Sequence, residues 1–316
     1  MRVGAIDCGT NSIRLLIADI DPATGALTDV VRRMEVVRLG YQVDRTGVLD
    51  PERMAATLAM TREYAAACRT HGTEAIRFVA TSASRDAANA QDFVAGVQEA
   101  FGDLAVTPEV ISGTEEAQLS FRGATGDLRA AGTTAPFLAV DIGGGSTEFV
   151  LGTEEVVAAI STDIGCVRLT ERHLTTDPPT RSQIAAAVAD VEAALDLAEQ
   201  AVPLADARTL VGLAGTVTTV TAHALVLPAY QADRIHLARS TPQQLLAAAD
   251  DLVAMTRADR AELPFMHPGR VDVIGGGALI WSTIIRRVTR LAGAIPVVTS
   301  EHDILDGIAL SLVPTR

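Results

Sequence analysis

Residues 141–150, DIGGGSTEFV, restate the plan of residues 7–16, DCGTNSIRLL: an aspartate, one residue, a glycine, two residues, a serine and then apolar side chains. The two copies begin 134 residues apart in a chain of 316. Single hydrophobic cores stop growing at about 250–300 residues, so a chain of this length is expected to form two domains. The repeated turn then assigns one copy to each.

Outward from the first copy, Val3–Asp7 reads as a short buried strand and Ser12–Ile20 as a second, joined at Cys8–Asn11 by a tight hairpin turn. A third β segment at Val30–Leu39 precedes a helix beginning at Pro51, where proline suits the first helical position. A strand at Ala75–Thr81, a helix at Ala88–Phe101 and a strand at Val106–Ile111 follow. This order predicts a mixed sheet flanked by helices. The stretch GATGDLRAAGTTAP, residues 123–136, reads as a linker. Beyond it the plan restarts, with strands at Phe137–Ile142, Glu148–Leu151 and Val156–Thr162, a helix from Thr180 and a strand at Thr209–Leu213. The remainder is mainly helical, with one strand near Ile295–Thr299. The domains are expected at 1–128 and 129–302, with the terminal segment 303–316 packing back on the first.

Composition excludes several classes of protein. Hydrophobic residues make up 48% and charged residues 21%, enough apolar side chains for packed cores. A net charge of −13 argues against nucleic-acid polymers and membrane surfaces as partners, because both require a basic face. All 26 cationic side chains are arginine, so a Walker A phosphate loop and Schiff-base catalysis are ruled out. Neither a signal peptide nor an apolar run near the ~20 residues that span a bilayer is present, and a cytoplasmic location is expected. Cys8, Cys68 and Cys166 are odd in number and form no CxxC, so each is read as a small buried residue. His71, His173, His223, His236, His267 and His302 show no ligand spacing such as HxxxH and are read as incidental.

The chemistry concentrates in the turns. Glycines allow a backbone to approach an anion, and successive N–H groups in such a turn form a concave nest for phosphate oxygens. Gly143, Gly144 and Gly145, bracketed by Asp141 and by Ser146 and Thr147, form such a loop; its plainer reading is a hairpin that only reverses the chain. A carboxylate beside a phosphate nest repels the anion unless a cation intervenes, so Asp141 and Glu148 imply Mg²⁺, with Asp7 the matching carboxylate of the first loop. In ISGTEEAQLSF, residues 111–121, Ser112 and Glu115 have capping-box spacing. Glu116 is left free at the first turn, where a solvated carboxylate favoured by the helix dipole is its ordinary role. Arg85, in VATSASRDAAN directly after a strand, offers a bidentate clamp to a phosphoryl group or a surface ion pair.

Taken in order, DCGTNSIRLL, SGTEEA, DIGGGSTE and GLAGTVTT resemble the exopolyphosphatase and guanosine pentaphosphate phosphohydrolase (Ppx/GppA) family. That family belongs to the acetate kinase, sugar kinase, Hsp70 and actin superfamily. The resemblance runs from Arg2 to about residue 310. It implies an α/β fold of two related actin-like (ribonuclease H-like) domains, each a mixed five-stranded sheet flanked by helices, with the active site in the cleft between them. It further implies hydrolysis of the terminal phosphoanhydride of inorganic polyphosphate, with short chains preferred and guanosine pentaphosphate (pppGpp) as the rival substrate. A kinase of the same superfamily and a non-catalytic (p)ppGpp or polyphosphate sensor are the remaining rivals. Glu116 resembles the family's catalytic base and Arg85 its phosphate-contacting arginine. Asp141 and Glu148 resemble the Mg²⁺-associated pair, with Mn²⁺ as substitute metal, and Asn11, Ser12, Gly143–Thr147, Gly215 and Thr216 would line the phosphate path. A homodimer is a family-level expectation. One departure is SEHDILDGIAL, residues 300–310, which stands where the family commonly has an arginine-containing stretch. The chain also lacks the further C-terminal helical domains of longer members.

Overall fold

The structure, a computed structural model, describes residues 1–313; the last three positions of the terminal segment 303–316 lie outside that range. The chain separates into two compact units, Met1–Gly123 together with the chain from Ile304 on, and Ala124–Asp303.

The first unit opens with β1 (Arg2–Cys8), β2 (Ser12–Ile20) and β3 (Leu27–Val36), followed by a short helix α1 (Val43–Thr46) and the long α2 (Pro51–His71). Asp50 caps α2 by accepting the Glu52 and Arg53 N–H groups. Next come β4 (Ala75–Ala80), α3 (Ser82–Asp86), α4 (Ala90–Phe101), β5 (Glu109–Val110) and α5 (Gly113–Ala130). The sheet order is β3-β2-β1-β4-β5, with β1 antiparallel to β2 and parallel to β4. Period-two alternation divides β1 between two cores. Ile6 and Cys8 face Phe78, Phe93 and Phe101, whereas Val3 and Ala5 face Ile304, Leu305 and Ile308.

The second unit repeats this plan with β6 (Phe137–Ile142), β7 (Thr147–Gly152), β8 (Val156–Thr162), α6 (Cys166–His173), α7 (Arg181–Ala201), β9 (Thr209–Leu213) and α8 (Ala214–Ala224). After these lie α9 (Ala232–Ile235), β10 (Arg239–Ser240), α10 (Pro242–Ala254), α11 (Arg257–Ala261), α12 (Ile274–Ala292) and β11 (Val297–Thr299). The order is β10-β11-β9-β6-β7-β8, so β8-β7-β6-β9-β11 reproduces the five-strand core of the first sheet. The last helix, α13 (Ile304–Ser311), packs on the first sheet.

Four expectations from sequence are corrected. The second sheet has six strands instead of five, because the two residues of β10, too short to show a period, pair with β11. β5 shrinks from Val106–Ile111 to two residues, since Pro108 has no N–H to give a ladder. β3 ends at Val36, and Arg38 turns the chain at φ 55. Residues 123–130 of the supposed linker are helical, because Phe121, Ala124 and Leu128 recur at helical spacing and are buried.

Candidate active site

In each unit the candidate side chains collect at the carboxyl ends of parallel strands, where α/β sheets present their loops to ligands. Cys8 of β1 pairs with Ala80 of β4, and Ala80 with Val110 of β5. The turn after β1, Arg85 after β4 and Glu116 after β5 therefore share one edge. In the second unit Asp141 of β6 pairs with Leu213 of β9, which places the glycine loop beside Gly215 and Thr216.

The repeated turn is repeated in geometry. Gly9 donates its N–H to the Ser12 carbonyl at 2.9 Å, and Gly143 donates to the Ser146 carbonyl at 3.0 Å. What differs is the residue opposite each aspartate. Asp7 faces Arg14 and is ion-paired with it at 2.7 Å, whereas Asp141 faces a second carboxylate, Glu148. Both members of that second pair are buried, and Ser161 donates to Glu148 at 2.7 Å. Two carboxylates facing each other across adjacent strands suit a hard divalent cation.

The orientation of the glycine loop follows from what holds it. The Cys166 N–H donates to the Gly143 carbonyl at 2.9 Å, the Val167 and Arg168 N–H groups to that of Gly144 at 2.9 and 3.1 Å, and the Arg168 side chain to that of Gly145 at 2.7 Å. A trans peptide points its C=O and N–H in opposite directions. With three successive carbonyls drawn to α6, the N–H groups of Gly144, Gly145 and Ser146 are turned the other way, as a nest for an anion requires. Gly165 makes this approach possible, since a Cβ there would collide with the Gly144 carbonyl group. The Thr147 hydroxyl is fully buried and donates to the Ile164 carbonyl at 2.7 Å, so its side chain braces the loop from behind.

In the first unit Arg85 reaches Glu116 at 2.6 Å and the Ile111 carbonyl at 3.1 Å. The Ser112 hydroxyl accepts the Glu115 N–H at 3.2 Å, as a cap should. The other half of the expected capping box is not formed: the Glu115 carboxylate lies on Arg77 at 2.6 Å, a charge-assisted bond stronger than one to a neutral backbone N–H. Glu116 is buried, and burial raises its pKa above the ordinary carboxylate value. The charge and hydrogen bond of Arg85 oppose that rise, and the Asp7 charge adds to it. Asn11 is held through its carbonyl, which accepts the Val37 and Arg38 N–H groups at 3.1 and 2.9 Å.

Two arginines escape sequence reading. Arg270 lies across Gly215, where any Cβ would meet its guanidinium, and its Nη1 is 3.4 Å from the Thr219 hydroxyl. Arg168 stands against the glycine loop. With 26 arginines and no lysine in the chain, residue type selects none of them, and no local motif marks these two. Ala214, beside Gly215, holds φ 65, a strained backbone for a residue with a Cβ. The three cysteines are buried and free, and burial pushes the thiols of Cys68 and Cys166 up to about 11, so none is a poised nucleophile.

Twin sheets that each present a glycine-bearing hairpin, acidic side chains and arginine at the strand ends define an enzyme of the actin-like fold that handles phosphoryl groups. The chain belongs to the Ppx/GppA phosphatase family, whose profile matches residues 16–312. It is 53% identical to Exopolyphosphatase 2 of Mycobacterium tuberculosis, over 98% of both chains. The crystal structure of an exopolyphosphatase-like protein superposes with a TM-score of 0.94 at 45% identity, covering 99% of this chain and 97% of that one. The PPX-GPPA enzyme of Aquifex aeolicus superposes with a TM-score of 0.80 at 29% identity, covering 98% and 99%. No helix among the described residues is long and apolar enough to cross a membrane.

Proposed function

We propose that this chain is a Mg²⁺-dependent exopolyphosphatase that removes the terminal phosphate of inorganic polyphosphate, with short chains preferred. The observation that carries the reading is the buried Glu116 carboxylate, raised in pKa yet held by Arg85 at 2.6 Å. A base for water must accept a proton, and burial makes the Glu116 carboxylate more basic while Arg85 favours its ionised form. Asp141 and Glu148, paired in register, are the donors suited to Mg²⁺, which when bound neutralises phosphate charge. The N–H groups of Gly144, Gly145 and Ser146 bind phosphate oxygens. Glu116 orients a water and takes its proton as the water oxygen bonds to the terminal phosphorus. The bridging P–O bond breaks, its electron pair leaves with the shortened chain, and Arg85 stabilises charge on the transferred group.

The test measures orthophosphate release from short polyphosphate, long polyphosphate and pppGpp in parallel, with and without Mg²⁺, for the native enzyme and Glu116→Gln. The expected result is metal-dependent release, fastest from short polyphosphate, lowered roughly 10²–10⁴-fold in the variant. Faster release from pppGpp reassigns the substrate. Tight binding with no release from any of the three makes the protein a sensor and ends the hydrolase reading.

A further inference from the structure

Asp127, His236 and His302 present one ligand atom each, and the three atoms all lie within 4.8 Å of one another. His302 Nδ1 is 2.6 Å from the Asp127 carboxylate oxygen, His236 Nε2 is 3.5 Å from the same oxygen, and the imidazole centroids are 4.6 Å apart. The residues come from three places in the second unit: Asp127 from α5, His236 from the end of α9, and His302 from the loop after β11. We infer that these three side chains form a binding site for a first-row divalent transition metal, Zn²⁺ in the first instance, separate in its ligands from the Asp141 and Glu148 pair.

The donor chemistry selects the metal. Two imidazoles and one carboxylate suit Zn²⁺ and its neighbours, whereas Mg²⁺ takes oxygen donors. Tetrahedral coordination with bonds of about 2.0–2.1 Å sets neighbouring donor atoms roughly 3.4 Å apart. The separations of 2.6 and 3.5 Å bracket that spacing, so the site closes on a metal through small side-chain movements.

Neighbouring bonds hold the ligands in place. The Ser300 hydroxyl donates to the His302 carbonyl at 2.8 Å and accepts the His302 N–H at 3.0 Å, and Tyr230 donates to the Glu301 carboxylate at 2.6 Å. His236 Nδ1 accepts the Glu301 N–H at 3.3 Å. Ligation through Nε2 moves the ring proton to Nδ1 and removes that contact, a small loss because the bond is long. The three side chains are each partly exposed, so a metal can enter from solvent and keep water in its remaining position.

The test is calorimetric titration and equilibrium dialysis of Zn²⁺ on the chelator-treated full chain, with Co²⁺ as a spectroscopic substitute. The expected result is one Zn²⁺ per chain, roughly 100-fold weaker in His302→Ala and in His236→Gln and unchanged in Asp141→Asn, with Co²⁺ spectra showing nitrogen and oxygen ligands. Circular dichroism of each variant establishes that it is folded, and His236→Gln, on a partly exposed position, serves where His302→Ala is not. Sub-stoichiometric binding, affinity in the histidine variants equal to that of the native chain, or a thiolate charge-transfer band from cysteine overturns the assignment.

Discussion

Glu116 sits where burial and Arg85 act on one carboxylate in opposite directions, and burial is the larger influence. The capping spacing of Ser112 and Glu115 already singles out Glu116 in the sequence, but the direction of its pKa depends on neighbours that the chain brings in from elsewhere. As the proposed base Glu116 acts in its ionised form, so the acid limb of kcat/KM is expected above the ordinary carboxylate range. In Arg85→Met a charge and a hydrogen bond that favour the ionised form are lost, so the limb moves to higher pH. The pH dependence of kcat/KM checks this, together with a fall in kcat of about 10²–10³-fold from loss of the proposed phosphoryl contact. A limb that stays in place would separate Arg85 from the protonation of Glu116. Arg270 marks the opposite case, because only the close approach to Gly215 distinguishes it from the other arginines.

Elements decide whether the glycine loop is a nest or an ordinary hairpin, a choice that the sequence leaves open. The N-terminal turn of α6 draws the loop carbonyls to itself, and Gly165 permits the contact. Gly165→Ala is expected to push the loop off its position, lowering kcat/KM about 100-fold and stability by about 1–3 kcal/mol. Steady-state kinetics and urea denaturation measure the two effects. In the same unit, Arg287 of α12 reaches three acids along one face of α7: Asp196 at 2.8 Å, Glu199 at 2.9 Å, and Glu192. The arginine side chain is only 10% exposed while its partners are wetter, so the network is worth less than a fully buried one. Arg287→Met should cost about 1–3 kcal/mol in urea denaturation and leave kcat unchanged.

At the scale of the molecule, removal of the proposed Mg²⁺ by a chelator is expected to abolish phosphate release without unfolding the protein, since the cores are built from apolar side chains and need no metal. Activity assays and circular dichroism on the same chelated sample, with Mg²⁺ then restored, test both halves. The departure at residues 300–310 gains a structural meaning here: Asp306 is buried and ion-paired with Arg32 of β3, and Gly307 lets α13 touch the backbone at Leu119 of α5. By itself the sequence determined the fold class, the doubled hairpin and the acidic and glycine residues of the motifs, because alternation, turn chemistry and capping are local and leave their period in the chain. Tertiary structure alone decided that residues 123–130 are helical, that Asp7 is matched by Arg14 where Asp141 meets Glu148, that burial dominates at Glu116, and that His236 and His302 converge on Asp127. Each of these depends on packing or pairing between elements, which no window of neighbouring residues records.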